Sequence, residues 1–520
     1  MASENLRFVP PEHFNVADYF LGQRLREGRG GRVALRLDDD TLTYRQVAGL
    51  ANRFARDLKR RGVRPDDRVM IALPDGPEFV AALFGTLQLG AVVVMVNPGF
   101  QIEDLGGLYP YTRCRCVVVD EAVAGVFRDA AVDSGATPPT GDYLAEVITV
   151  AAGSWREQLS GDGDDELETF ATHPDDPALW LFSGGTTGRP KAVVQTHRSF
   201  ANTTELYAKR TLGYREDDVT LSVPKLYFGY ATGSNLFFPF SVGGSALLFP
   251  EHPTAEVIFE KIARHRPTIL VNVPTLIHRM VSHPRAAEQD LSSLRFATSA
   301  GEALPVPVYE RWQELFGVEL LDGLGTAEMW HVFVTNRPGD VRPGTLGRVV
   351  EGFELAVRDD DGNDLAAGEV GRLWVRGDSR AICYWQNLEQ TAEAFRGEWF
   401  VGGDLVSRDA DGYVTYCGRA DDVLKVAGKW LVPQEVESCL MTHPAVKECA
   451  VVGVENEEGL TKPYAFVLPA GEQPDLEQSL KDFALERLAA YKHPRRVIVL
   501  DELPRTHLGK IDRGKLKTMV

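Results

Sequence analysis

The sequence predicts an α/β protein: a large N-terminal lobe of stacked parallel and mixed sheets with covering helices, a β-rich subdomain, and a small mobile α+β C-terminal domain. Three observations predict it. Continuous apolar strands alternate with amphipathic helices, the pattern of a parallel sheet covered on both faces. From about 345 to 417 the pattern changes to short strands separated by Asp/Gly turns. After the compact polar stretch Gly418-Arg419-Ala420-Asp421-Asp422, a second, smaller α+β pattern begins. The expected boundaries are 1–418 for the large domain, 419–422 for a hinge linker and 423–520 for the small domain.

The elements follow in order. Thr43 to Gly62 reads as a helix, with Thr43 and Gln46 as a capping box, an apolar face at Val47, Leu50, Ala51, Phe54 and Leu58, and Gly62 as its stop. Val69 to Leu73 is a strand, Pro77 to Leu89 a helix opened by proline, and Ala91 to Val96 and Val117 to Val119 further strands. Phe228 to Phe249 is apolar, but Asn235, Pro239 and Gly243-Gly244 interrupt it, so a buried helix, turn and strand are expected rather than a membrane span. Strands are expected at Thr268 to Val273, Arg295 to Thr298 and Val318 to Leu321. The last two run into loops, Ser299-Ala300-Gly301-Glu302 and Asp322-Gly323-Leu324-Gly325-Thr326-Ala327-Glu328. Ligands of open α/β sheets bind beyond the carboxyl ends of strands, so these loops point to one crevice. Phe353 to Val357, Arg372 to Arg376 and Tyr413 to Cys417 are the short strands of the β-rich region. The C-terminal region should hold helices near Pro433 to Met441 and Glu477 to Tyr491. Its strands should lie at Ala450 to Val454, Tyr464 to Leu468 and Val497 to Leu500. Asp162 to Glu166 reads as a solvated acidic loop.

The 520 residues are 44% hydrophobic and 25% charged, an ordinary globular composition. A formal net charge of −18 argues against binding nucleic acid or an anionic membrane. Six scattered cysteines show neither zinc spacing nor a disulfide framework, which fits a reducing cytoplasm, and Met1 to Asn5 lacks the start of a signal peptide.

The chemistry is concentrated in Ser183-Gly184-Gly185-Thr186-Thr187-Gly188-Arg189-Pro190-Lys191. Glycines let the main chain approach a ligand, hydroxyls donate, and Lys191 supplies a cation, a set suited to a polyphosphate. The Gly-Lys-Ser/Thr ending of a helix-backed nucleotide loop is missing. Apolar runs stand on both sides, Ala178 to Phe182 and Ala192 to Val194, so the loop should join two strands.

With four further motifs the chain resembles the acyl-adenylate-forming superfamily of acyl-CoA synthetases, adenylation domains and luciferases. These are Asp322-Gly323-Leu324-Gly325-Thr326-Ala327-Glu328, Gly403-Asp404, Gly418-Arg419-Ala420-Asp421-Asp422-Val423-Leu424-Lys425-Val426-Ala427-Gly428, and Pro504-Arg505-Thr506-His507-Leu508-Gly509-Lys510. Within it the chain is similar to benzoate-CoA ligases, through Phe14-Asn15-Val16-Ala17-Asp18-Tyr19-Phe20, Pro224-Lys225-Leu226-Tyr227-Phe228-Gly229-Tyr230, and Glu328-Met329-Trp330-His331 running on to Asn336-Arg337-Pro338-Gly339-Asp340.

The resemblance implies two half-reactions. A carboxylate attacks the α-phosphorus of ATP to give an acyl-adenylate and pyrophosphate; the thiol of coenzyme A then displaces AMP. Carried over, it implies that Ser183 to Gly188 and Lys191 hold the β- and γ-phosphates and that Lys510 positions the carboxylate and α-phosphate. Glu328 is implied as the Mg2+ ligand, and Asp404 with Arg419 as the ribose site. Gly301, Glu302, Asp322 and Gly323 are implied to line the adenine slot, and Thr326 to belong to the nucleotide site with its side chain pointing elsewhere than the residue it precedes. The family's usual Thr before the motif glutamate is Ala327 here, which removes one hydroxyl from the nucleotide. The implied acid pocket is Phe228, Gly229, Tyr230, Ala300, Gly301, Gly325, His331 and Val332. Small residues at 229, 300 and 325 would leave a flat slot, and aromatic walls at 228 and 230 would stack on an aryl ring. His331 is either a buried histidine bonded to main chain or a group lining the ring edge. Benzoate, 2-aminobenzoate and hydroxybenzoates are the candidate acids, with no nucleic-acid or membrane partner and a monomer or homodimer expected. A carrier protein in place of coenzyme A is the alternative acceptor. Lys510 must leave the site between half-reactions, so Asp421 is the expected hinge, and Gly428 and Trp430 would then border the pantetheine path.

Overall fold

The computed structural model describes residues 8–100, 102–134, 146–151, 167–183, 191–420, 424–426, 429–455, 461–471, 475–505 and 511–520, with backbone alone at 102–104, 425, 429 and 430. Two compact units result, Met1–Glu354 with Val375–Phe400, and Leu355–Trp374 with Val401–Val520. The first has the α/β architecture that the alternating pattern predicts.

It holds two large sheets. Six neighbouring parallel strands form the centre of a nine-stranded sheet: Leu320–Gly325, Phe296–Ser299, Ile269–Asn272, Val219–Ser222, Ser245–Leu247 and Val33–Arg36. Val332–Thr335 and Arg348–Val349 extend it antiparallel on one side and Thr41–Thr43 on the other. The seven-stranded sheet runs Cys383–Tyr384, Lys191–Thr196, Pro177–Ser183, Val92–Met95, Arg68–Ala72, Cys116–Asp120 and Glu146–Val150. Its last five strands are parallel. The parallel strands are buried along almost their whole length because helices and loops cover them, which is why they read as unbroken apolar runs.

The helix Tyr44–Arg60 begins at the expected capping box, with Thr43 Oγ1 accepting from Gln46 N, and its predicted apolar face is buried. It packs against Pro77–Gln88 so closely that a Cβ on Gly85 would lie 2.7 Å from Ala51 O. The apolar run after Phe228 folds as three short helical pieces, Gly229–Thr232, Gly233–Phe237 and Phe238–Val242, turns at Gly243 (φ 80°) and continues as the strand Ser245–Leu247. Its rings join an aromatic core: Phe237 stacks on Phe20 at 4.3 Å, and Phe200 meets Phe237 at 5.6 Å. Among the described residues no helix is long and apolar enough to cross a membrane.

The second unit holds most of a five-stranded sheet in which Trp399–Arg408 and Val414–Arg419 pair antiparallel. Beyond it come a two-stranded ribbon and a three-stranded sheet, Val446–Glu455, Thr461–Pro469 and Arg496–Val499, covered by helices Pro433–Met441 and Leu476–Arg487. The C-terminal helix Arg513–Lys517 is tied down by Arg513, which donates to both oxygens of Glu437 at 2.6 and 3.0 Å and to Val451 O at 2.7 Å.

Three sequence readings are corrected. Asp322 to Gly325 is not loop but the second half of a strand, because Val332–Thr335 folds back alongside and satisfies its main chain. Arg419 is not linker but the last residue of a strand, paired with Asp404. The helix expected to reach Tyr491 ends at Arg487, where Leu488 turns to extended backbone.

Replacing Gly85 by Ala should lower the thermal unfolding midpoint by several degrees, since overpacking between two fixed helices costs about 1–3 kcal/mol. Gly107→Ala is the control: Gly107 lies in the helix Ile102–Thr112 with nothing within 4 Å of its added Cβ. There the midpoint should hold or rise.

Candidate active site

The phosphate-loop motif joins two strands as expected. Pro177–Ser183 and Lys191–Thr196 pair antiparallel, with Ser183 opposite Lys191. Gly184, Gly185, Thr186, Thr187, Gly188, Arg189 and Pro190 lie outside the described residues, as do Asp421, Gly428, Lys510 and the side chain of Trp430. What can be followed is where the loop is rooted. Lys191 Nζ stands 5.3 Å from the centre of the Tyr384 ring, a cation–π arrangement. The Tyr384 hydroxyl donates to Glu328 Oε1 at 2.8 Å. One tyrosine therefore links the lysine of the loop to the glutamate of the downstream motif. Nothing in the sequence marks Tyr384 for this, because it reaches the site by pairing with Val193 at the sheet edge.

Glu328 sits in the one-turn 3-10 helix Ala327–Met329 and is 8% exposed. Three bonds hold that turn. Thr326 Oγ1 caps it by accepting from Met329 N at 3.3 Å, Gln195 Nε2 donates to Ala327 O at 2.6 Å, and Ala381 N donates to Glu328 O at 2.7 Å. The Thr326 hydroxyl is thus engaged with its own turn. Among the described residues no group of three or more His, Cys, Asp or Glu could cage a metal. A single carboxylate suits Mg2+, which keeps waters and takes most of its remaining ligands from substrate phosphates. Glu328 fits that role.

The residues expected to form the acid pocket come from three places that the fold brings together. Phe228 precedes the helix Gly229–Thr232, Ala300 follows the strand Phe296–Ser299, and Gly325, His331 and Val332 belong to the hairpin after Asp322. The Tyr230 hydroxyl shares a 2.7 Å hydrogen bond with Thr298, which fixes the ring. His331 lies 5.3 Å from that ring, centroid to centroid, and is 3% exposed. Its Nε2 is 3.1 Å from Tyr230 O and 3.2 Å from Ser234 Oγ, so Nε2 carries the proton and donates to the carbonyl. Burial pushes its pKa down to about 4, partly offset by that carbonyl, and the ring is neutral. Of the two sequence readings for His331, its contacts match the histidine bonded to main chain, but its Nδ1 has no hydrogen-bond partner among the described residues.

The glycines serve the chain rather than open space. A Cβ on Gly325 would lie 2.5 Å from His331 O, and one on Gly323 2.8 Å from Val334 O. At Gly229 it would press on Leu181 at 3.0 Å and approach Trp330 at 3.5 Å. The slot reading of positions 229 and 325 is corrected accordingly: these residues are small because neighbouring chain occupies the place of a side chain.

A buried pair missing from the sequence reading anchors the segment that carries Phe228 and Tyr230. Asp75 Oδ1 accepts from Leu226 N at 2.7 Å, and Lys225 Nζ donates to Phe249 O at 2.7 Å over the Phe249 ring. Burial raises the Asp75 carboxyl and lowers the Lys225 amine, moving both toward neutrality. Asp75 precedes a helix by two residues and reads locally as an ordinary helix-start acid, so only the tertiary fold exposes the link.

The remaining expected nucleotide residues divide between the units. In the first, Glu302 accepts from Thr275 N and Oγ1 at 3.1 and 2.6 Å, Gly301 has φ 90°, and Asp322 is 8% exposed. Asn336 Nδ2 donates to Asp322 O at 3.2 Å. Burial pushes the Asp322 carboxyl up to about 7, offset only in part by the Ser299 hydroxyl and Gly323 N–H. In the second unit, Asp404 and Arg419 face each other across two strands with Nη1 and Oδ1 3.6 Å apart. The guanidinium lies across Gly403, where a Cβ would fall 2.6 Å from it.

Comparison with known proteins shows the family. The family model "AMP-binding enzyme" matches residues 23–385, and "AMP-binding enzyme C-terminal domain" matches 435–510. The chain belongs to the AMP-binding, acyl-adenylate-forming enzymes. It is 40% identical to a benzoate–CoA ligase of Thauera aromatica over 98% of this chain and 96% of that protein. It is 37% identical to a 4-hydroxybenzoate–CoA/benzoate–CoA ligase of Rhodopseudomonas palustris, over 98% and 95%. Among solved structures, the anthranilate CoA ligase AuaEII in complex with anthranoyl-AMP superposes with a TM-score of 0.91 at 36% identity, covering 100% of this chain and 99% of that one.

The buried acid in this AMP-binding enzyme gives a pH test. A carboxyl raised from 3.8 to about 7 binds its proton more tightly folded than unfolded. Its contribution to stability is complete below pH 4 and is lost as pH rises through 7. Asp322→Asn should therefore gain on the parent in unfolding midpoint between pH 4.5 and 7.5; a constant difference across that range would contradict the assignment.

Proposed function

We propose that this protein is an ATP-dependent aryl-CoA ligase. It activates a benzoate-type acid as the acyl-adenylate with release of pyrophosphate, then passes the acyl group to coenzyme A, releasing AMP. The observation that carries the aryl part is the uncharged, aromatic surrounding of Tyr230 and His331. The phenol is bonded to Thr298 and the imidazole is neutral, so neither of these two groups supplies a charge to an aliphatic diacid or amino acid. The names of the relatives, CoA ligases for benzoate and its hydroxy derivatives, support the same substrate class and favour coenzyme A over a separate carrier protein.

In this reading the difficulty of the first step is bringing a carboxylate to a polyanion. Lys191 and the loop before it screen the β- and γ-phosphates and hold the departing pyrophosphate. Glu328, its carboxylate oriented by Tyr384, would hold Mg2+, which supplies charge neutralisation on the phosphates when bound. Asp404 accepts from the ribose hydroxyls with Arg419 beside it. Asp322, Gly323, Gly301 and Glu302 border adenine. Lys510 aligns the two reactants for in-line attack and must be withdrawn before the thiol arrives, with the turn at Asp421 and Gly428 and Trp430 along the pantetheine path.

AMP release measured across benzoate, 2-aminobenzoate, hydroxybenzoates and octanoate, with and without coenzyme A, tests the assignment. Thioester formation with an aryl acid is expected; preference for octanoate, or no coenzyme A dependence of turnover, would sink it. The two half-reactions can be separated at the hinge. Asp421→Pro should keep acid-dependent pyrophosphate exchange within about twofold and lose most thioester formation, at least about tenfold. Equal loss of both would count against Asp421 as the pivot.

A further inference from the structure

Among the described residues near this site, Trp330 is the one whose backbone and side chain both break local rules. Its φ and ψ are 68° and −54°. His331 N donates to Met329 O at 2.8 Å, which closes a three-residue γ-turn with Trp330 at its apex. Positive φ for a bulky aromatic is a true outlier, and this hand of γ-turn is rare and strained. Such a conformation persists only where the surroundings over-determine it.

The surroundings are specific. The indole is 1% exposed, with Phe200 edge-on at 4.2 Å and Phe237 at 5.9 Å. Its Nε1 has no hydrogen-bond partner among the described residues, which adds a second local penalty. Glycine or asparagine would suit the backbone better, and phenylalanine would avoid the orphaned N–H. Reach is what tryptophan alone supplies. Its Cζ3 is the atom that a Cβ on Gly229 would approach at 3.5 Å. Gly229 is joined to Tyr230, Tyr230 O accepts from His331 Nε2, and His331 follows Trp330. The indole thus faces the side of Gly229 that carries no side chain, and one hydrogen bond, His331 Nε2 to Tyr230 O, ties the two segments together.

We propose that Trp330 is a positioning residue for the aryl acid: its buried indole props a strained γ-turn beside Gly229 and thereby fixes His331 relative to the Gly229–Tyr230 wall, while Glu328 is held separately by Tyr384 and Ala381. This rests on the reading that Gly229, Tyr230 and His331 border the acid. Substrate discrimination then depends on a residue that need not touch the substrate. Loss of the indole frees the turn to relax, which alters the acid pocket before it alters the nucleotide contacts.

The test uses Trp330→Gly, which permits the backbone angle without the ring, Trp330→Phe, which keeps a shorter ring, and His331→Ala. KM for benzoate and for ATP is measured in each by pyrophosphate release, with the unfolding midpoint alongside. Trp330→Gly should raise the benzoate KM about tenfold and leave the ATP KM within about twofold, and Trp330→Phe should recover it to within about threefold. If Trp330→Gly does not fold, a two- to threefold rise in benzoate KM without a matching ATP effect in Trp330→Phe is the roughly expected outcome. Both constants moving together, or neither moving, overturns the proposal. An unchanged benzoate KM in His331→Ala would instead overturn the acid-pocket reading beneath it.

Discussion

The close antiparallel pairing of Leu320–Gly325 with Val332–Thr335 is the constraint on which the site depends. A parallel strand of an open sheet normally ends in a loop. Here the chain turns back beside its own strand, with a register shift between Leu324 and Gly325. The two main chains come close enough that glycine is required at 323 and 325. Six residues remain to make the return, and they include Glu328, Trp330 and His331. Their placement follows from the hairpin. A side chain at either glycine would force the strands apart and move the glutamate and the histidine together.

Charge is handled by burial and not by pairing alone. The chain carries a formal −18, yet two ionisable groups of the hairpin, Asp322 and His331, are driven toward neutrality. Burial moves Asp322 and His331 in opposite pH directions, to about 7 and about 4, and both shifts favour the uncharged form. Asp75 and Lys225, under the segment that carries Tyr230, shift toward each other in the same sense. In the proposed reading such uncharged walls take the aryl ring, while Lys191 and Glu328 serve the phosphates and Lys510 the carboxylate.

Much of the fold was legible because its signals are local. Thr43, Gln46 and five apolar residues at helical spacing define one helix, and the structure places it within two residues. Runs such as Cys116–Asp120 are unbroken because both faces of the sheet are covered. The readings that failed depended on a distant partner. Asp322–Gly325 looks like a turn from its glycines and becomes strand only because Val332–Thr335 lies beside it. Arg419 looks like linker and is paired with Asp404. Gly229 and Gly325 suggested open space, whereas the absent side chains are replaced by Leu181, Trp330 and main chain.

By itself the sequence determined the fold class, the strand-to-strand setting of the glycine-rich stretch 183–191 and the family motifs, since motif order and hydrophobic period are properties of the chain read in line. Only the tertiary structure decided what holds those residues in place. Tyr384 lies 56 residues beyond Glu328 and Asp75 lies 151 before Leu226, and each reaches its partner through a hydrogen bond. The strain at Trp330 was equally hidden. A backbone angle is set by what packs around it, and the rings that pack there arrive from Phe200 and Phe237.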